Sequence, residues 1–240
     1  MTLRYYGRSE TGAVRERNED ALLLLEENGA ALFLVADGIG GKAYGELASG
    51  MLRDGYARWW HDSFLPKHST WDFQQAVEQL RNTLVDINRQ VVDCFGRRNT
   101  GSTAVILFFF RGCCAYLSAG DSRIYRIRGL KVQQMTRDDT AANLPGSAGL
   151  IGAAGGRLVG AVGISDQLEF SLRTDRPEKG DCFFLCSDGV YHCVPSKTLH
   201  DRLRWGRLLS APQHVVDRLC QDVERGGSGD NYTMIFVKVQ

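Results

Sequence analysis

The 240-residue sequence lacks any long apolar stretch and any excess of charge of one sign. Its longest apolar run, Thr103–Phe110, is far shorter than the roughly 20 residues that a membrane-spanning helix needs. The polar beginning, MTLRYYGRSETG, has no apolar segment of the kind found in secretory signals, so we expect a cytoplasmic protein that does not contact membranes. A formal net charge of +1 offers no basic surface, so we expect no nucleic-acid partner.

The sequence also lacks paired CxxC motifs at the spacing of a zinc site. Its seven cysteines are odd in number, and most of them lie in apolar, strand-like runs such as CCAYL and CFFLC. We therefore expect reduced cysteines in the core rather than a disulfide framework.

What the sequence does contain is a long series of strand-like segments interrupted by two helical blocks. The strand-like segments are rich in Phe, Val, Ile and Tyr: Leu3–Arg8, Leu22–Leu25, Leu32–Ala36, Thr103–Phe110, Cys113–Ser118, Arg123–Arg128, Val132–Met135, Gln167–Arg173, Cys182–Ser187 and Tyr232–Val239. Apolar residues at helical spacing predict Gly45–Trp60, Trp71–Cys94, Ser196–Leu203 and Gln213–Val223 as helices. Regular strand–helix alternation is missing, which favours an α+β fold with an antiparallel β-sandwich and helices outside it.

A stretch dominated by Gly and Ala, Ala141–Gly163, separates two groups of strands. Because strands resume beyond it, we interpret it as a surface excursion, a short flap at about 140–163, rather than as a linker. With 43% hydrophobic and 24% charged residues, the chain is predicted to form a single domain over residues 1–240.

Acidic residues recur where predicted strands begin or end. Asp37 and Asp188 each follow an apolar strand and precede a glycine, while Asp121 lies between two strands and Asp230 just before the last. A single Asp-Gly is usually a hairpin turn, but the recurrence indicates carboxylates at the sheet rim. Like charges that converge need a compensating cation, and oxygen-only ligands favour Mg²⁺ or Mn²⁺. The sequence alone does not show the convergence.

Seven short strings now occur in an order typical of one family. They are RERNED, VADGIGG, GELAS, GSTAV, GDSRIY, LCSDGV and GDNYTMIFV, and they run from Arg15 to Val237. In this order the chain resembles the protein phosphatase 2C (PP2C, or PPM) family of metal-dependent serine/threonine phosphatases, compact bacterial type. The resemblance implies a β-sandwich flanked by helix pairs on both sides, a four-layer α-β-β-α arrangement.

The resemblance also implies a pair of Mn²⁺ or Mg²⁺ ions at one end of the sandwich. Asp37 would bridge the two ions, and the Gly38 carbonyl would bind one of them. Asp188 and Asp230 would bind the other. Two further groups complete the implied set, with Glu19 and Asp20 holding metal-bound waters and Asp121 serving a weak third metal. The string GSTAV is expected to serve strand packing and backbone geometry.

The activity implied by the resemblance is hydrolysis of phosphoserine and phosphothreonine by a metal-activated water, with Arg15 binding the substrate phosphate through its planar donor fork. A CxxxxxR loop for covalent thiol catalysis is not found at Cys94, Cys193 or Cys220. The expected partners are a phosphorylated protein and a cognate bacterial serine/threonine kinase, and the expected state is a monomer.

Three departures from the family pattern leave alternatives open. Ile39 occupies the position of a histidine found in many eukaryotic members, and His192 that of an acidic residue near the third metal. The triplet Asp138-Asp139-Thr140 replaces a DHS-type triplet near the flap. One alternative is therefore a weakly active, metal-binding regulatory module that binds phosphoproteins, and another is a small-molecule phosphoesterase.

Overall fold

The computed structural model describes residues 1–40, 44–96, 100–140, 160–209 and 211–240. The strands are β1 Leu3–Glu10, β2 Asp20–Glu27, β3 Ala30–Ile39, β4 Gly101–Ser102, β5 Ala104–Phe110, β6 Cys113–Ala119, β7 Arg123–Arg128, β8 Lys131–Gln134, β9 Ser171–Asp175, β10 Cys182–Cys186 and β11 Tyr232–Val239. The helices are α1 Tyr44–Arg58, α2 Leu65–Lys67, α3 Phe73–Phe95, α4 Asp188–Cys193, α5 Ser196–Gly206 and α6 Pro212–Arg225.

The strands form two antiparallel sheets that pack face to face. One sheet has the order β1-β11-β10-β7-β8 and the other the order β2-β3-β5-β6-β9, with β4 paired to β3. Helices α1 and α3 cover the outer face of the second sheet, and α5 and α6 cover that of the first. The predicted α+β sandwich between helix layers is confirmed.

Three apolar layers hold these sheets and helices together, because successive strand side chains point to opposite faces. On β3, Leu32 and Leu34 belong to the layer shared with α1 and α3. Phe33 and Val35 belong to the layer between the sheets. A third layer, which includes Phe184, lies between the first sheet and helices α5 and α6. Covering both faces of the sheet explains why β3 is apolar at consecutive positions.

The N-terminal helical block differs in detail from its prediction. Helix α1 ends at Arg58 and continues as a π-helical turn, Trp59–Phe64, instead of remaining α-helical through Trp60. The wider turn places the rings of Trp59 and Phe64 5.9 and 5.4 Å from Phe108. This aromatic packing accompanies the change from α-helix to the wider turn.

Two other elements depart from the sequence-based expectation. Helix α4 was not predicted, because its six residues are too few for a helical period to show. The strand expected at Gln167–Arg173 lies at Ser171–Asp175, where it pairs with β6. Most of the predicted flap, residues 141–159, falls outside the described residues, and the single-domain assignment stays a prediction.

The cysteine prediction holds in part. All seven cysteines are free, and Cys114, Cys182, Cys186 and Cys220 are buried, whereas Cys94 is exposed. In the described ranges, no helix combines the length and the apolar character needed to cross a membrane.

Candidate active site

The predicted acidic residues come together at one end of the sandwich. Asp37 lies near the end of β3, and Asp188 lies two residues beyond the end of β10, as the first residue of α4. Asp230 lies two residues before the start of β11, the antiparallel neighbour of β10. These elements surround a cleft of about 790 Å³. Its lining includes the predicted site residues Arg15, Glu19, Asp37, Gly38, Asp121, Asp188 and Asp230. The structure thus supplies the convergence that the sequence alone left open.

Asp37 is held by the strand that carries GSTAV. Its backbone N–H donates to Thr103 Oγ1 (3.0 Å), and its carbonyl accepts from Ser102 Oγ (3.0 Å) and from the Thr103 N–H (2.8 Å). The Thr103 hydroxyl also shares a hydrogen bond with Ser122 Oγ (2.7 Å). The expectation that GSTAV serves backbone geometry agrees with these contacts, and Thr103 additionally lines the cleft.

Gly38 allows helix α1 to approach the Asp-Gly backbone. A Cβ atom at Gly38 would lie 2.3 Å from the Gly45 carbonyl oxygen, closer than any side chain tolerates. The Glu19 carbonyl binds both elements, accepting from Gly38 N–H (3.1 Å) and from Ser49 Oγ (2.6 Å). The GELAS string therefore packs α1 against the site, a role that the sequence analysis did not assign.

Asn231 ties the segment that carries Arg15 and Glu19 to the end of the sheet. Its side-chain oxygen accepts from the Glu19 N–H (2.9 Å), and its amide nitrogen donates to the Thr11 and Arg17 carbonyls (2.8 Å each). The sequence analysis missed this residue. The only signal was its place directly after Asp230 in the string GDN.

Arg15 reaches across the cleft to Asp230. Its Nη2 atom donates to Asp230 Oδ2 at 2.8 Å, and both side chains remain about half exposed. Arg15 lines the cleft, and since a guanidinium has five N–H donors, this contact leaves others for a ligand there. His192, on α4, places Nδ1 3.4 Å from Asp188 Oδ2.

Asp20 lies behind the cleft, opposite Asp37 in the β2–β3 register. Its Oδ2 atom accepts from Ser187 Oγ (2.8 Å), while Oδ1 is buried and has no hydrogen-bond partner in the part of the chain that the structure describes. A buried oxygen without a partner is costly, so this atom marks a place for a polar ligand such as a water.

The electrostatics of the cleft reflect burial and mutual repulsion. Burial, together with the charges of Asp188 and Asp230, raises the pKa of Asp20 to about 7. Burial and the charges of Asp20, Asp188 and Asp121 raise the pKa of Asp37 well above its usual range. Burial and the charge of Asp188 raise the pKa of Asp121 to about 6. Raised values in neighbouring carboxylates indicate a strong demand for positive charge.

Burial also acts to raise the pKa of Asp188, but the hydrogen bond and charge of His192, with the hydrogen bond to Asp37, lower it overall. The Asp188 carboxylate is thus engaged by His192, as that of Asp230 is by Arg15. Among the described residues, no three acidic, histidine or cysteine side chains already surround one point closely enough to enclose an ion. Even so, the oxygen-only donors and the unpartnered Asp20 oxygen fit hard divalent cations. The ligand set remains a prediction.

A second network lies beside Asp121 and was not predicted. The Tyr191 hydroxyl donates to the Asp121 carbonyl (3.1 Å), and the Arg123 guanidinium lies 3.5 Å from the centre of the Tyr191 ring. Arg123 also binds both carboxylate oxygens of Asp138. These contacts connect α4 to the loop that carries Asp121.

Comparisons with known proteins agree with this geometry. The sequence profile of the family described as protein phosphatase 2C matches residues 10–220. The serine/threonine protein phosphatase PstP of Mycobacterium tuberculosis is 27% identical over 245 residues, which cover 100% of this chain and 45% of PstP. The chain therefore spans about half the length of that relative.

Solved structures resemble the chain over its whole length. PppA, described as a key regulatory component of T6SS in Pseudomonas aeruginosa, is 33% identical with a TM-score of 0.83, and the match covers 100% of this chain and 99% of PppA. The catalytic domain of PstP in complex with two manganese ions is 28% identical with a TM-score of 0.81, and the match covers 99% of each chain.

The family match extends over most of the sequence and includes Arg15, Asp37 and Asp188. The two solved structures share the sandwich whose end carries the acidic cleft. The chain therefore belongs to the protein phosphatase 2C family of serine/threonine phosphatases.

Proposed function

We propose that the chain is a metal-dependent protein phosphatase that hydrolyses phosphoserine and phosphothreonine. The observation that carries this proposal is the meeting of Asp37, Asp188 and Asp230 with the Arg15 guanidinium in one open cleft. Carboxylates that bind cations, beside a guanidinium that binds phosphate, are what phosphate-ester hydrolysis requires. The manganese complex of the PstP catalytic domain supports Mn²⁺, and Mg²⁺ prefers the same oxygen ligands.

Each predicted site residue has a task in this proposed reaction. Asp37, the Gly38 carbonyl, Asp188 and Asp230 hold two cations. Glu19 and Asp20 hold waters around them, and Asp121 serves a weaker third ion. When bound, the cations supply positive charge for the phosphate oxygens and a nucleophilic hydroxide from water at neutral pH.

Arg15 orients the substrate in this arrangement. Its contact with Asp230 fixes the guanidinium at the cleft wall, from which its other N–H groups donate to the phosphate oxygens as negative charge develops on them. Ile39 lines the cleft and has no titratable proton to donate. The proton for the leaving serine or threonine oxygen therefore comes from water, which the open cleft admits, or from another residue.

The phosphorylated protein substrate follows from the serine/threonine phosphatases that the chain resembles. We further propose that the chain reverses a bacterial serine/threonine kinase and acts as a cytoplasmic monomer. The likeness to PppA, a regulatory component in its own organism, supports a role in signalling.

Turnover of a phosphothreonine peptide tests the proposal. Protein treated with EDTA and dialysed should be inactive, and addition of Mn²⁺ should restore phosphate release. A nucleoside monophosphate, assayed in parallel, should be hydrolysed much more slowly than the peptide. Metal-dependent peptide binding without phosphate release would instead support the regulatory module, and faster turnover of the nucleotide would support a small-molecule phosphoesterase.

A further inference from the structure

A second cleft, of about 350 Å³, lies on the surface between α5 and α6. Its walls are formed chiefly by Thr198, Asp201, Arg202, Trp205, Val215 and Arg218. Arg202 spans the two helices, donating to both carboxylate oxygens of Asp222 at 2.7 and 3.1 Å. One of the residues that line the cleft therefore joins the two helices.

Large apolar side chains stand exposed on and near helix α5, and one of them, Trp205, lines the cleft. Trp205 is 59% exposed although its helix packs on the sheet, and Leu208 just beyond α5 is 60% exposed. The β7–β8 turn, where Leu130 is 61% exposed, is attached to α5 by a hydrogen bond from Arg204 Nε to the Leu130 carbonyl (3.0 Å). A tryptophan left in solvent beside a pocket is the residue type most enriched at binding hot spots.

The charged residues that line the cleft are Asp201, Arg202 and Arg218, so the lining carries one net positive charge. The basic residues of the two helices are Lys197, Arg202, Arg204, Arg218 and Arg225. Two of the four acidic residues of these helices contact residues outside the pair, Asp217 with Arg8 and Glu224 with Tyr232, and the basic Arg204 likewise contacts Leu130.

Asp201 and Asp222 therefore offset the basic residues only in part. Arg218 lines the cleft and has neither an ion-pair nor a hydrogen-bond partner within the described ranges. An unpaired guanidinium in a cleft is a ready site for a carboxylate.

The second cleft is well separated from the acidic cleft. Lys238, at the far end of β11, donates to the carbonyls of Arg207 and Leu209, which follow α5. Asp230 lies at the opposite end of the same strand, which at about 3.3 Å per residue corresponds to roughly 20 Å or more. A ligand in the second cleft need not obstruct the catalytic one.

We propose that the α5–α6 cleft is a docking site for a short acidic segment of a partner protein, with an apolar side chain of that segment seated against Trp205 and a carboxylate on Arg218. The apolar contact supplies most of the affinity, and the basic surround selects acidic sequences and speeds their association. The site acts independently of the catalytic chemistry, so binding is measurable without turnover.

Fluorescence anisotropy of a labelled peptide tests this proposal directly. The probe is fluorescein-DEDELFDEED, and the comparison peptides are KKKKLFKKKK and DEDEGGDEED. The full chain should bind the probe saturably, more weakly as salt screens the charges. The basic peptide should not bind, and the peptide without Leu-Phe should bind at least ~10-fold more weakly.

Two variants locate the site and two serve as matched controls. Trp205→Ala and Arg218→Glu should each raise Kd by at least ~10-fold. Leu47→Ala removes an apolar side chain of similar exposure, and Arg89→Glu reverses an exposed charge on α3, so neither should change Kd. All four variants should retain the thermal midpoint of the wild type. If Trp205→Ala unfolds, the Kd of Arg218→Glu, a change at an exposed position, tests the proposal by itself.

Three outcomes would overturn the proposal. The first is absence of saturable binding by the full chain, and the second is equal binding of the peptide without Leu-Phe, which indicates unspecific charge attraction. The third is concentration-dependent dimerisation that Trp205→Ala abolishes, which would assign the cleft to a second copy of this chain.

Discussion

Asp20 lies directly opposite Asp37 in the β2–β3 ladder, so two carboxylates face each other where the sheet ends at the catalytic cleft. Like charges in register destabilise a sheet, and here Asp188 and Asp121 add to the repulsion. A sequence under no functional demand would place an amide or a hydroxyl at one of these positions. The pair makes physical sense as one half of a site whose other half is cationic.

Replacing Asp37 with Asn should reduce activity without lowering the stability of the fold. The change removes one charge of the repelling group and the oxygen proposed to bridge two cations, so activity with Mn²⁺ should fall by at least ~10². The thermal midpoint in EDTA should stay equal or rise, because repulsion is relieved. Turnover of a phosphothreonine peptide and a thermal melt give both values, with exposed Asp62→Asn as the matched control. Near-normal turnover by Asp37→Asn would contradict the proposed role of Asp37.

The stability of metal-depleted protein should depend on pH through Asp20. Its folded-state pKa, about 7, lies above the ordinary value of 3.8. Between these values the folded state binds more protons than the unfolded state, so this group's contribution to stability falls as pH rises from about 4 to 7. The Asp20→Asn variant has no carboxyl group to titrate at this position. In EDTA, its thermal midpoint relative to that of the wild type should therefore rise as pH increases from about 4 to 7. A constant difference between the two melting curves would contradict the prediction.

The site was predictable from sequence at the level of residues but not of contacts. Asp37 and Asp188 could be found because each follows a buried strand and precedes a glycine, a pattern that local structure writes into the sequence. The Arg15–Asp230 hydrogen bond joins residues 215 positions apart, and no local signal reports such a pair. Its existence depends on β1 and β11 pairing at the sheet edge.

The fold, too, was predictable from the sequence only in part. The apolar run Leu32–Ala36 predicted a strand, and the structure shows that both faces of β3 are apolar and covered. Helix α4 was not predicted, because tertiary contacts determine its position. Gly189 packs against Asn231, and the ring of Tyr191 packs against the Arg123 guanidinium. Short elements held by distant residues carry no period of their own.

Arg15→Ala should reduce kcat/KM by about 10², since a charge-assisted contact to the phosphate contributes about 2–3 kcal/mol in the transition state. Arg15→Lys should recover only part of the loss, because an ammonium cannot present two parallel donors. Arg17→Ala is the matched control. Arg17 also lines the cleft, but its guanidinium lies 4.0 Å from the exposed carboxylate of Glu46 rather than beside Asp230. Steady-state kinetics on one phosphopeptide compare the three variants, and an unchanged kcat/KM for Arg15→Ala would mean that another cation holds the phosphate.

His192 bears on metal preference. It occupies the position of an acidic residue in many relatives, and its ring lies against Asp188 with the side chain 65% exposed. Imidazole is an acceptable ligand for Mn²⁺ but a poor one for Mg²⁺, whereas a carboxylate serves both. The wild type should therefore be more active with Mn²⁺ than with Mg²⁺.

The substitution His192→Asp should narrow that difference, since a carboxylate beside Asp188 and Asp121 adds an oxygen ligand that Mg²⁺ accepts. His192→Asn is the control, because it removes the imidazole without adding charge and so should not favour Mg²⁺ to the same extent. Activity is measured against the concentration of each metal for the three proteins. Equal ratios of Mn²⁺ to Mg²⁺ activity in the wild type and His192→Asp would show that His192 faces solvent without reaching a metal, which its exposure also permits. A ratio that falls only in His192→Asp would show instead that this position sets which ion the cleft prefers.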